Sequence, residues 1–151
     1  MKKINLIITV VLFITAAATP AKAQCKAKQV VKECKPSIAP YQYDSYALNE
    51  ITADPAKPQI IEVEFTAFAG QQYKLVFCTS GVEEDLKLNI YDKNQRSKKR
   101  NKIYDSANGA DKRWTFEPTK AGTYFIDYEI PKSATGKKKT GCAVMLIGYK
   151  E

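Results

Sequence analysis

Four cysteines and no histidine define the chemistry open to this chain. Without an imidazole, Ser-His-Asp and Cys-His catalysis are excluded in their usual forms, and so is most zinc enzymology. Cys25, Cys34, Cys78 and Cys142 include no Cys-x-x-Cys pair, so a zinc site is the poorer reading. An even count suits two disulfides in an exported chain, with three connectivities open. Cys78 ends one strand pattern and Cys142 begins another, so a Cys78–Cys142 bridge is the favoured pairing, leaving Cys25 for Cys34. A conflict stands against it. Lys26 to Glu33 reads as helix, which would set its ends about 13 Å apart, whereas a disulfide needs Cα atoms within about 7 Å. Either that stretch is not one helix, or Cys25 and Cys34 pair elsewhere and tie the N-terminal segment to the rest of the fold.

Carboxylates could act as a glycosidase-like pair. The densest cluster, Glu83-Glu84-Asp85, falls between two strand patterns and reads as a solvated turn. Calcium wants several oxygen ligands. Asp92-Lys93-Asn94 and the stretch Asp105 to Asp111 each offer a few, but neither has the spacing of a calcium loop, and lysine intrudes on the first. No catalytic residue, metal ligand or cofactor site is therefore expected, and the chain reads as a non-enzyme.

Two basic clusters are more conspicuous. Arg96, Lys98, Lys99, Arg100 and Lys102 fall within seven residues, and Lys137, Lys138 and Lys139 are consecutive. In loops they can stay solvated and guard sheet edges. Brought together, they would form a surface for an anionic partner. Nucleic acid is disfavoured, because stacking platforms need aromatics interleaved with the cations and only Tyr104 is close. An envelope-side anionic polymer fits better. Tyr41, Tyr43 and Tyr46 could stack on sugar rings if exposed in a row; the simpler reading has them packing their segment onto the fold with phenols outward.

These groups must be positioned by β structure. Residues 1–23 read as an export leader: Lys2 and Lys3, an apolar run over Ile4–Ala18, then the small-x-small site Ala21-Lys22-Ala23. A lipid anchor on Cys25 is disfavoured because Gln24 stands where a small residue is wanted. Cleavage after Ala23 would remove Lys2, Lys3 and Lys22, leaving 21 cations against 16 anions and lowering the net charge from +8 to +5. Residues 24–59 read as a short basic helix stopped by Pro36, followed by an extended, tyrosine-bearing arm. Residues 60–151 read as the folded domain. Period-two alternation recurs at near-even spacing: Ile61, Val63, Phe65 and Ala67; Tyr73–Cys78; Leu86, Leu88 and Ile90; a short stretch at Lys102–Tyr104; Trp114 and Phe116; Tyr124, Ile126, Tyr128 and Ile130. Cys142–Ile147 is continuously apolar, as a central strand covered on both faces would be. Ala69-Gly70 and Ala121-Gly122 open two of the strands with glycine turns. The expectation is an all-β fold, an antiparallel, jelly-roll-like β-sandwich of about seven or eight strands.

Three motifs in order, Ala69-Gly70-Gln71-Gln72-Tyr73, Asp85-Leu86-Lys87-Leu88-Asn89-Ile90-Tyr91-Asp92 and Lys120-Ala121-Gly122-Thr123-Tyr124-Phe125-Ile126, make the stretch from Ile60 to Tyr149 resemble the bacterial pre-peptidase C-terminal (PPC) domain, a small secreted β-sandwich. The resemblance implies a non-catalytic accessory or binding role beside exported enzymes. The chain departs from that pattern in its cysteines, its N-terminal arm and the lack of an attached peptidase. The expected function is that of an exported binding module for an extracellular or envelope polymer or protein, in the periplasm, on the cell surface or outside the cell. The alternative is an envelope assembly component or inhibitor that engages a partner protein through a sheet edge.

Overall fold

The computed structural model describes residues 25–82, 86–106 and 113–151; residues 1–24, which include the stretch read as an export leader, Glu83-Glu84-Asp85 and residues 107–112 lie outside the described residues. Eight strands among the described residues form two four-stranded antiparallel sheets. The first contains, in spatial order, β1 (Gln42–Ala53), β8 (Lys139–Lys150), β3 (Gln72–Ser80) and β6 (Arg113–Phe116). The second contains β2 (Gln59–Ala67), β7 (Gly122–Ile130), β4 (Lys87–Tyr91) and β5 (Lys102–Asp105). Every connection except β4–β5 passes from one sheet to the other, as in jelly rolls.

The alternation seen in the sequence sorts side chains as expected. Phe65, Leu88, Ile90, Ile126, Tyr128 and Ile130 face inward from the second sheet and meet Ile51, Leu75, Phe77, Ala143 and Met145 from the first. Each such large side chain taken out of water contributes about 1.5–3 kcal/mol. Trp114 is buried in this layer as the strand pattern predicts. Gly70 and Gly122 have positive φ, 84° and 141°, in keeping with the two Ala-Gly turns.

The outer face of the first sheet carries a second, smaller core. Helix α1 (Ala27–Cys34) and the 3₁₀ turn Lys35–Ile38 lie on it, burying Val30, Cys34 and Ile38 against Val76, Val144 and Leu146. This explains why Cys142–Ile147 is apolar throughout: β8 has the sandwich core on one face and α1 on the other. Gly148 permits the close approach, because a Cβ there would sit 2.7 Å from Ile38 Cγ2 and 3.1 Å from Tyr41 Cβ. Lys74 Nζ donates to Ala39 O at 3.0 Å and Arg113 donates to Ser37 Oγ at 3.2 Å, adding polar ties to the same segment.

Two expectations are corrected. The bridges are Cys25–Cys142 and Cys34–Cys78, with Cα separations of 5.6 and 6.6 Å, not Cys78–Cys142 with Cys25–Cys34. The helix is real, so its two ends cannot reach each other, and each instead reaches the strand beneath it. The arm is corrected too. Over Gln42–Ala53 it is β1, paired with β8 along its whole length, so the sandwich begins at Gln42 and not at residue 60.

Candidate functional site

The outermost strands of the two sheets are very unequal. At one side of the sandwich the edges are β5 and β6, of four residues each, with Tyr104 and Phe116 in edge contact at 5.8 Å between ring centroids. At the other side they are β1, of 12 residues, and β2, of nine. A sheet edge presents a row of main-chain donors and acceptors that can template another strand. Natural proteins blunt such edges with short strands, lysines, prolines or bulges. The short edges follow that rule and also carry Lys102 and Arg113. β1 contains no Lys, Arg or Pro. Its single irregularity lies between Tyr43 and Ser45, so Ser45–Ala53 runs in unbroken register with β8.

That register fixes what β1 displays. Tyr46, Leu48 and Glu50 stand opposite Leu146, Val144 and Cys142, all on the face that α1 covers farther in. With no strand beyond β1 among the described residues, Tyr46 is 43% and Leu48 45% exposed. Asn49, Ile51 and Ala53 point the other way, and Ile51 and Ala53 close the core. The result is a long, regular edge with an apolar pair and a carboxylate on its accessible face.

The basic loop proves to be a structural element in part. The connection between β4 and β5 folds back over the outer face of the second sheet, where Glu62, Asp127 and Asn89 form one cross-strand row. Asp127 has no exposed surface. Arg100 lies 2.9 Å from its Oδ2 and 3.7 Å from Glu62 Oε2, with its guanidinium 3.7 Å from the centre of the Tyr91 ring. The 2.9 Å contact is an ion pair and not an aligned hydrogen bond. Gln95 adds its main-chain N–H to Glu62 at 2.7 Å and its side-chain amide to Asp127 at 3.3 Å. Asp92 closes the loop by accepting from Asn101 N and Nδ2 at 2.7 and 2.8 Å, and the first of these holds its carboxyl below the usual range. Asp92 thus serves the loop where a calcium ligand was considered. Among the described residues no three Cys, Asp or Glu side chains gather to hold a metal ion.

Burial raises the pKa of Glu62, the Gln95 N–H lowers it, and Asp127 raises it further; the net direction is upward. A carboxyl with a raised folded-state pKa contributes stability at acid pH and loses that contribution as pH climbs through the folded value. Compared with a Glu62→Gln variant, the natural protein is expected to lose stability as pH rises from the ordinary glutamate range, about 4.3, toward neutrality. Urea unfolding of both proteins across that range checks the sign, and a wild type that gains relative stability with rising pH contradicts it.

The remaining sequence candidates are dispersed. Arg96, Lys98 and Lys99 are exposed on the β4–β5 loop, while Lys102 pairs with Asp105 at 2.7 Å. Lys137, Lys138 and Lys139 follow β7, and Lys138 pairs with Asp54 at 3.3 Å. Arg100, Lys102 and Lys138 are thus each engaged by a carboxylate of the fold. The tyrosines do not form an exposed row. Tyr41 donates to Glu117 at 3.1 Å and Tyr43 lies under Lys35 Nζ at 4.4 Å, both packed against the smaller core. Burial is the first cause that raises the pKa of each phenol. Only Tyr46 is largely open. Sequence reasoning raised a sheet edge as its alternative but did not place it on β1, and so missed Leu48 and Glu50. An available signal was the absence of any cation from residue 36 to residue 56 in so basic a chain.

No protein-family model matches the sequence, and no curated protein matches it. Among solved structures, Aeromonas hydrophila PliG, a periplasmic lysozyme inhibitor of g-type lysozyme, is similar to this chain with a TM-score of 0.47 and 14% identity, over 74% of this chain and 89% of that one. A likeness that distant carries no functional argument.

Proposed function

We propose that this chain is an exported, non-catalytic protein that binds a partner protein by accepting a strand at the free edge of β1. The observation that carries the reading is β1 itself: 12 residues long, free of Lys, Arg and Pro, and bearing Tyr46 and Leu48 exposed beside the edge. In strand addition the main chain supplies affinity, and alternate side chains supply specificity. Two disulfides and a leader-like N-terminus support an oxidising compartment. The anionic-polymer reading called for a joined basic surface or a row of exposed tyrosines; of Tyr41, Tyr43 and Tyr46 only Tyr46 is largely open, and Arg100, Lys102 and Lys138 are engaged by carboxylates.

Photo-crosslinking in the native host tests this. A benzophenone side chain placed at Leu48 is compared with one at Ile103 on β5, a residue of nearly equal exposure (45% against 46%). The expected result is one dominant protein adduct at Leu48, mapped by mass spectrometry to an extended segment of the partner, and none at Ile103. Equal labelling at both positions, or adducts only at Ile103, rejects the β1 edge as the binding site.

A further inference from the structure

The two sides of the sandwich differ in charge as well as in strand length. Asp44, Glu50, Glu62 and Glu64 are the only charged residues of β1 and β2, and all four are acidic. The rest of the chain must therefore hold all 24 of its cations. Lys102 in β5 and Arg113 in β6 stand on the short edges. The long-edge strands carry only acidic charge in a protein of net charge +8. Glu62 is engaged by Arg100 and Gln95. Glu50 is exposed and makes no hydrogen bond or ion pair among the described residues. It stands in line with Tyr46 and Leu48 on the accessible face of β1.

We infer that the strand β1 accepts is cationic: an extended segment with apolar side chains beside Tyr46 and Leu48 and a lysine or arginine beside Glu50. This rests on strand addition at β1 and specifies its chemistry. Directly opposed cross-strand pairs stabilise when their charges differ and destabilise when they match. A second copy of this chain is a poorer occupant for the same reason. Pairing β1 with another β1 would bring Asp44 and Glu50 from both copies to one seam with no cation in either strand.

The test uses the whole chain, with disulfides intact, and a labelled, capped, strand-length peptide of alternating threonine and valine in which one outward valine is replaced by lysine. Two control peptides carry glutamate in place of that lysine, or the lysine peptide with alternate main-chain nitrogens methylated. The lysine peptide is expected to bind roughly three- to ten-fold tighter than the glutamate peptide at low salt, with the gap shrinking at high salt. Glu50→Lys should invert that order, and methylation should abolish binding. If lysine and glutamate peptides bind alike while methylation abolishes binding, strand addition stands and the cationic partner is rejected. If the methylated peptide binds as well as its parent, or if none of the peptides binds, strand addition itself is rejected. Sedimentation that shows a dimer dispersed by Leu48→Lys makes a second copy the occupant and overturns the inference.

Discussion

Replacing Cys25 and Cys142 together with alanine is expected to lower the unfolding free energy by about 2–5 kcal/mol, and replacing Cys34 and Cys78 together by a similar amount. The bridges span 117 and 44 residues, so loop entropy alone would assign them about 4–5 kcal/mol each, with the longer one at the upper end. The structural effect should be local as well as global. α1 has eight residues and no side-chain N-cap, far short of what an isolated helix needs to persist in water. It stays because both ends are fastened, Cys25 to β8 and Cys34 to β3, and because Val30 is buried between those points and Ile38 just beyond them. Removing both bridges should free α1 and uncover Val76, Val144 and Leu146. Three measurements follow the change: urea denaturation, amide exchange across Ala27–Cys34, and dye binding to newly exposed apolar surface. If α1 amides stay protected after both bridges are removed, packing alone holds the helix and this account of it is wrong.

Arg100→Ala should cost about 3 kcal/mol of stability, whereas Lys98→Ala and Lys99→Ala should each stay within about 0.5 kcal/mol. The three residues are neighbours in one basic run, yet only Arg100 meets a fully buried carboxylate. Taking it away strands Asp127 without its cation in a site closed to water, and it removes the guanidinium from the Tyr91 ring. Arg100→Lys should fall between, because an ammonium keeps the charge but lacks the planar group that spans Asp127, Glu62 and the ring. Pairing Arg100→Met with Asp127→Asn should recover part of the loss, since removing both charges avoids leaving one unpaired. Chemical denaturation of the set decides the matter. Equal effects at positions 98, 99 and 100 would mean that the ion pair contributes nothing.

Arg100 also shows where sequence and structure part company. Five cations within seven residues look interchangeable on paper, and nothing in the run says which one turns inward. The better signal lay in β7, where Asp127 interrupts Tyr124-Phe125-Ile126 and Tyr128 with a residue depleted in strands. A buried acid there demands a cation. Strands β2 to β7 were legible from period-two alternation between turn residues, and β8 from its continuous apolar run. β1 was not, and the bulge is the reason. The extra residue at Asp44 puts Tyr43 and Tyr46, three apart, on the same face of the sheet, so the apolar positions do not alternate and the segment reads as an irregular arm. The disulfide partners were hidden for a different reason. They depend on where α1 docks, and docking is set by the far ends of the chain meeting in space.

That meeting also orders events in time. Among the described residues β1 finds its only sheet neighbour in β8, the last of their eight strands, and Cys25 finds its partner in that same strand. A chain that crosses a membrane N-terminus first therefore delivers β1 long before anything can cover it. Until β8 follows, the strand has two open edges and its cysteine has no mate. Pairings between such distant segments close slowly and leave strands exposed meanwhile. The unguarded edge of the finished protein is what remains of a much larger exposure during its birth, and a chaperone able to hold β1 should be needed earlier than any binding partner.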